Sequence, residues 1–141
     1  MNNSASVLAL HICSGHRNPM TPVQSLETLT GVGIKGDMHA IENSIRQILL
    51  VEQETLAALH LRPGIVKENI TTLGIALMTL KRRQKLRIGN TLLQITRECE
   101  PCSRMEEIRP GLQELLRGRR GMLARVLQGG TVNVGEAIQL E

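Results

Sequence analysis

The stretch Leu86-Arg87-Ile88-Gly89-Asn90-Thr91-Leu92-Leu93-Gln94-Ile95-Thr96 sets two apolar runs on either side of a Gly-Asn pair. Gly-Asn is a turn signal, and Thr91 to Thr96 alternates with the period of two that puts one face of a strand inward. Working outward, the same punctuation recurs. Downstream, Met122 to Leu127, Thr131 to Val134 and Ala137 to Leu140 are strand-like runs parted by Gly129-Gly130 and Gly135, and Met105 to Leu116 reads as helical with a break at Pro110-Gly111. Upstream, Lys81 to Lys85 is an exposed turn or strand edge, and Ile65 to Ile70 and Leu73 to Leu77 read as short strands. Arg46 to Val51 is an apolar strand running into a helix over Glu52 to His60, with acids in the first turn and Pro63-Gly64 after it. Ser6 to Ile12 is an opening strand, Ser14 to Pro22 a loop, and Leu26 to Thr30 a brief strand. Strands this short and evenly spaced predict a mainly β fold, a closed antiparallel β-barrel with a few short helices.

The 141 residues are one domain of ordinary size, spanning 1–141, and hydrophobic residues make up 41%. There is no Phe, Tyr or Trp, so Leu, Ile, Val and Met must fill the core. The missing aromatics also remove the usual platform for stacking bases. Net charge is +4, densest over Lys81-Arg82-Arg83-Gln84-Lys85-Leu86-Arg87, with a second group at Arg117, Arg119 and Arg120. Such patches suit an anionic cofactor or an acidic partner; charge without readout argues against nucleic acid. Three cysteines do not make a secreted disulfide framework. Met1-Asn2-Asn3-Ser4 begins no signal segment, and no apolar run reaches the ~20 residues needed to cross a bilayer. A cytoplasmic protein with reduced thiols is expected.

Chemistry concentrates at Cys99-Glu100-Pro101-Cys102-Ser103-Arg104-Met105, flanked by Arg97. Nearby cations favour thiolate, the nucleophilic and metal-binding form. The Cys99/Cys102 spacing also matches one half of a zinc site, but His11, His16, His39, His60 and Cys13 are not paired at ligand spacing. A thioredoxin-type dithiol wants a βαβ setting, which the sequence does not show, and the deaminase pattern lacks its second cysteine. The ordinary alternative is a buried, inert cysteine pair, against which Arg97 and Arg104 argue.

Gly31-Val32-Gly33-Ile34-Lys35-Gly36 matches G-x-G-x-x-G, yet no firm strand precedes it and no helix follows. A loop in which backbone passes close to other groups is the better reading. His39, two residues after Asp37, is a candidate proton carrier or anion contact, with a solvated or structurally bonded histidine as the ordinary alternative. Glu68-Asn69, set in an apolar stretch, must be satisfied by backbone or by a ligand.

Taken together, several segments resemble the MOSC domain, named for the C-terminal part of molybdenum-cofactor sulfurase. They are Gly33-Ile34-Lys35-Gly36-Asp37-Met38-His39, Arg46-Gln47-Ile48-Leu49-Leu50, Gly64-Ile65-Val66-Lys67-Glu68-Asn69-Ile70-Thr71 and Leu86-Arg87-Ile88-Gly89-Asn90. Pro101-Cys102-Ser103-Arg104-Met105, Gly121-Met122-Leu123-Ala124-Arg125-Val126 and Gly129-Gly130-Thr131-Val132-Asn133-Val134-Gly135-Glu136 follow in family order. Each piece alone is weak, and the ordered set is specific.

The resemblance implies a β-barrel of MOSC type and an association with molybdenum cofactor (molybdopterin), either its binding or sulfur transfer to it. It places the hallmark cysteine at Cys102, as a molybdenum ligand or a persulfide carrier. It makes Asn69 and Arg104 candidates for the shell of the pterin or its phosphate, and brings Asp37, His39 and Arg46 into the cofactor-binding set. Salt bridges between strands are the ordinary alternative for Arg46 and Arg125. Pyridoxal phosphate would belong to a partner, a cysteine desulfurase, and a molybdoenzyme is the other implied partner. Cys99 is a candidate to resolve a persulfide or disulfide on Cys102. A non-catalytic binding module for an anionic small molecule or partner protein is the reading from another class. A component of a molybdenum-dependent reductase of N-hydroxylated compounds is a third.

Overall fold

The computed structural model describes residues 5–141. Met1 to Ser4, read above as beginning no signal segment, lie outside them. The elements run β1 (Ser6–Ile12), β2 (Thr21–Val23), β3 (Ser25–Leu29), β4 (Gly33–Ile34), β5 (Ile48–Glu52), α1 (Gln53–Ala58) and β6 (Ile70–Leu73). After a 3-10 turn at Leu77–Thr79 come β7 (Lys85–Ile88) and β8 (Thr91–Glu98). A second 3-10 turn (Ser103–Glu107) and α2 (Leu112–Leu115) precede β9 (Met122–Gln128), β10 (Gly130–Asn133) and β11 (Ile138–Leu140). The fold is mainly β with few short helices, as expected.

Eight strands form one sheet in the order β11-β7-β8-β9-β5-β6-β1-β2, and β10-β3-β4 form another. Neither is closed into a barrel, which corrects the expectation of a closed antiparallel sheet. The larger sheet curls until its ends approach: Ser6 bridges Ala137, and Val7 N–H donates to the Glu136 carbonyl at 2.9 Å. That bridge is isolated and does not extend into a ladder, so β2 and β11 remain edges. Nor is the sheet wholly antiparallel. β5 and β6 are parallel, because α1 and the segment after it carry the chain back before β6 begins. This is a strand–helix–strand unit the sequence did not disclose, although Cys99 and Cys102 lie outside it.

β5 explains the two cores. Its four apolar residues alternate faces: Ile48 and Leu50 enter one cluster with Leu93, Ile95 and Ala124 inside the curl, while Leu49 and Val51 enter the other. The second cluster takes Leu56, Val66, Cys99, Met105, Leu112 and Leu116. A strand covered on both faces reads as a continuous apolar run, as Ile48-Leu49-Leu50-Val51 does. β8 shows the other pattern, burying Thr91, Leu93 and Ile95 and leaving Leu92, Gln94 and Thr96 partly exposed.

Several local expectations differ. Leu73 to Leu77 is not a strand: β6 ends at Leu73, Gly74 turns the chain at φ +76°, and Leu77 opens a 3-10 turn. Ile65 to Asn69 is a loop, because the Glu68 and Asn69 side chains bond backbone groups there and at neighbouring segments. Thr21–Val23, expected as loop, pairs with β1 at the sheet edge, where Pro22 is tolerated.

Candidate functional site

Four connecting segments meet beside the second core: the loop after β1, the turn after β4, the loop before β6, and the residues between β8 and β9. Asp37 ties three of them. Its Oδ1 accepts the Cys13 N–H at 2.6 Å and the Asn69 Nδ2 at 3.0 Å, and its Oδ2 accepts the His39 N–H at 2.9 Å. His39 Nδ1 lies 3.1 Å from the same Oδ2. Burial alone would raise the Asp37 pKa, but the bonds from His39 and Cys13 outweigh it and hold the carboxyl below its ordinary value. Asn69 is engaged equally fully: its Oδ1 accepts the Leu49 N–H at 3.0 Å, and its Nδ2 also reaches the His11 carbonyl at 3.2 Å. Asp37 and Asn69 therefore serve as the frame of this region, with the half-exposed His39 side chain at its surface.

Cys102 is exposed and opens the Ser103–Glu107 turn, where its carbonyl accepts the Met105 N–H at 3.0 Å. Cys99 is buried in the second cluster, and its N–H donates to the Gly121 carbonyl at 2.9 Å. The two thiols of the C-x-x-C are thus unlike: one packed, one presented. Cys99 is buried and Cys102 is not, so the expectation of a buried pair is corrected. Cys13, Cys99 and Cys102 are all free thiols, and among the described residues no three His, Cys, Asp or Glu side chains converge. Arg104 approaches His16 at 3.2 Å and Glu107 at 3.9 Å, which brings the loop after β1 against the Cys102 turn. Arg46 is exposed, with its N–H held by Ser44 Oγ at 3.0 Å.

Arg120 is the residue that sequence reasoning missed. It was counted in a surface charge group with Arg117 and Arg119, yet it is only 5% exposed. Its Nη2 donates to the Val66 carbonyl at 2.6 Å, while Nε and Nη1 have no protein partner. Burial lowers its pKa, the buried Glu68 acting in the opposite sense and Arg46 in the same sense. Glu68 is fully buried: Oε2 accepts the Gly64 N–H at 2.8 Å and the Thr71 hydroxyl at 2.9 Å, and Oε1 has no partner. A buried guanidinium with most of its donors uncommitted is costly to maintain. No local pattern in Arg117-Gly118-Arg119-Arg120-Gly121 separates Arg120 from its neighbours. What separates it is Gly121, whose φ of +141° and lack of a side chain let the strand start flush against β5. A Cβ there would sit 2.5 Å from the Leu50 carbonyl.

A family model described as the MOSC domain matches residues 37–139, which include the Asp37 frame, the Glu68-Asn69 loop, Cys102 and Arg120. The chain belongs to the MOSC domain family. Solved structures are similar over nearly all of it. The YuaD protein of Bacillus subtilis superposes with a TM-score of 0.81 at 21% identity, covering 97% of this chain and 95% of that one. YiiM of Geobacillus stearothermophilus gives 0.79 at 18% identity, over 97% and 75%. YiiM of Escherichia coli gives 0.71 at 20% identity, over 96% and 69%. At these identities the likeness concerns the fold. No curated protein sequence matches the chain significantly. Among the described residues no helix is long and apolar enough to cross a membrane.

Proposed function

We propose that this MOSC protein uses Cys102 as a sulfur-carrying thiol, or presents it to molybdenum cofactor, in the cytoplasm where free thiols persist. The observation that carries this reading is one exposed, free thiol, Cys102, at the head of the turn that Arg104 ties to the loop after β1 through His16. In the carrier step the Cys102 thiolate attacks the outer sulfur of a persulfide on a cysteine desulfurase. A bond forms between Cys102 Sγ and that sulfur, the donor's S–S bond breaks, and the donor cysteine leaves as a thiolate. No net oxidant is needed, and pyridoxal phosphate stays with the partner.

The donor set also fits the cofactor. A soft thiolate suits molybdenum, and arginines suit its phosphate. Cys102 would ligate the metal; Arg104 and Arg46 would hold the phosphate; Asp37, Asn69 and His39 would fix the loops that face it. When bound, the cofactor supplies a redox-active molybdenum centre, which in a reductase of N-hydroxylated compounds would need an electron-donor partner. What this chain's residues do is present the thiol, neutralise anionic charge and hold the loops in register.

The test is intact mass after incubation with a cysteine desulfurase, pyridoxal phosphate and cysteine, with Cys102→Ser in parallel. Gain of one sulfur on the wild type alone supports the carrier. No gain, or equal gain on both, removes it, and molybdenum analysis of freshly purified protein then decides for or against cofactor binding.

A further inference from the structure

A groove of about 600 Å³ runs along β8 and β9 and the segment before β7. Its apolar lining includes the exposed Ile45, the partly buried Leu80 and the buried Met122, and its cations are Arg82, Arg83, Arg97 and Arg125. Among the described residues none of the four is ion-paired, and Glu98 is the one carboxylate in the lining.

One cation is tied by its side chain, and the backbone sets where two others start. Arg125 stands opposite Gln94 in the ladder and donates Nε and Nη2 to its Oε1 at 3.0 and 2.8 Å. A register shift between Ile95 and Arg97 interrupts the alternation of β8, and both Arg97 and Glu98 are exposed. Such a bulge re-aims a side chain at the expense of ladder pairing. Arg83 adopts φ +80°, uncommon for a non-glycine residue, while its N–H donates to the Ile95 carbonyl at 2.8 Å. Ile45 is pinned by its carbonyl, which accepts the Thr96 hydroxyl.

Charge and spacing identify the occupant. Arg97 pairs with Leu123, two residues from Arg125 on β9, so the two arginines stand about 7 Å apart along the strands. Arg83 bonds β8 on the side away from β9, so its backbone stands roughly two strand spacings, about 10 Å, from that of Arg125. Four arginines outside any ion pair call for an anionic partner, and the step of about 7 Å matches carboxylates on one face of an extended chain. The apolar part of the lining suits aliphatic side chains between those carboxylates, and the chain has no aromatic ring on which a base would stack.

We propose that this groove docks an extended, acidic segment of a partner protein, with carboxylates on the four arginines and aliphatic side chains over Ile45 and Leu80. The assignment is independent of what Cys102 does.

Fluorescence anisotropy with a labelled nonapeptide alternating Glu with Leu and Val tests it, on wild type, Cys102→Ser, Arg97→Glu/Arg125→Glu and Arg82→Glu/Arg83→Glu. Circular dichroism checks that each variant is folded. Saturable binding to wild type and Cys102→Ser, weakened about tenfold in either charge-reversed pair and by added salt, is expected. Absence of peptide binding, or equal binding to the charge-reversed proteins, overturns the proposal. Tighter binding of inorganic pyrophosphate or of a single-stranded oligothymidylate, lost in the same variants, assigns the groove to a phosphate ligand and overturns it as well.

Discussion

Asn69 Nδ2 donates to Asp37 Oδ1 at 3.0 Å across 32 residues of sequence, joining the turn after β4 to the loop before β6. Both side chains are buried, and between them they bond Cys13, His39, Leu49 and the His11 carbonyl. The loops that frame Cys102 therefore depend on one carboxylate.

Asp37→Asn should destabilise the fold by about 2–3 kcal/mol, the range for losing charged hydrogen bonds in a buried site. The wild-type contribution has a defined pH sign. With its folded pKa depressed, Asp37 stabilises fully above the ordinary carboxylate value of about 3.9, and the effect is lost as pH falls through the lower folded value. Urea midpoints between pH 3 and 7 should show the two proteins converging at the acid end; parallel curves would refute it.

His11 predicts a second acid-sensitive step. Its pKa is lowered by burial, with Glu68 acting in the opposite sense. The unfolded chain then binds a proton more readily, so this contribution is present above about pH 6.5 and declines as pH falls towards the folded value. His11→Gln should flatten the stability profile over that window, read by thermal melts at closely spaced pH.

Gly121→Ala should cost about 2–4 kcal/mol, because the added Cβ meets the Leu50 carbonyl at 2.5 Å on a backbone with φ +141°. The measurement is the urea midpoint of the purified variant. A change below half a kilocalorie per mole would mean that β5 and β9 can separate there.

Arg120→Met tests the buried charge. The fully buried Glu68 favours the charged form of Arg120, and removing one partner of a buried charge pair commonly costs about 3–5 kcal/mol. The melting temperature of the purified variant should fall, and an unchanged value would mean that Arg120 and Glu68 do not compensate each other.

The thiols should react in order of exposure. Iodoacetamide at neutral pH should label Cys102 at least about tenfold faster than Cys99 or Cys13, because access as well as thiolate character sets the rate. Peptide mass spectrometry of timed samples reads the order directly, and equal labelling would place Cys99 at the surface.

Much of the strand layout was legible because it rests on local chemistry. Ser6–Ile12 and the pair of strands around Gly89-Asn90 follow from alternation and turn residues, and the helix after β5 follows from its apolar spacing. The loop at Ile65 to Asn69 was read as strand because its apolar residues mimic alternation. Only its bonds to Gly64, Thr71 and Leu49 show that the polar pair turns inward. The ordered motifs likewise led to the MOSC family and to Cys102, since those segments are contiguous in the chain.

By itself the sequence determined the β-rich layout, the aliphatic core, the family and the segment that holds Cys99 and Cys102, all of which are written in short-range order. Tertiary structure alone decided that the sheet stays open with β5 and β6 parallel, that Cys99 packs while Cys102 is presented, and that Arg120 is buried. It also decided that Arg82, Arg83, Arg97 and Arg125 share one face. The physical reason is the same in each case: burial and charge proximity are set by residues distant in sequence, and an arginine in a basic run carries no local mark of which side of the fold it will occupy.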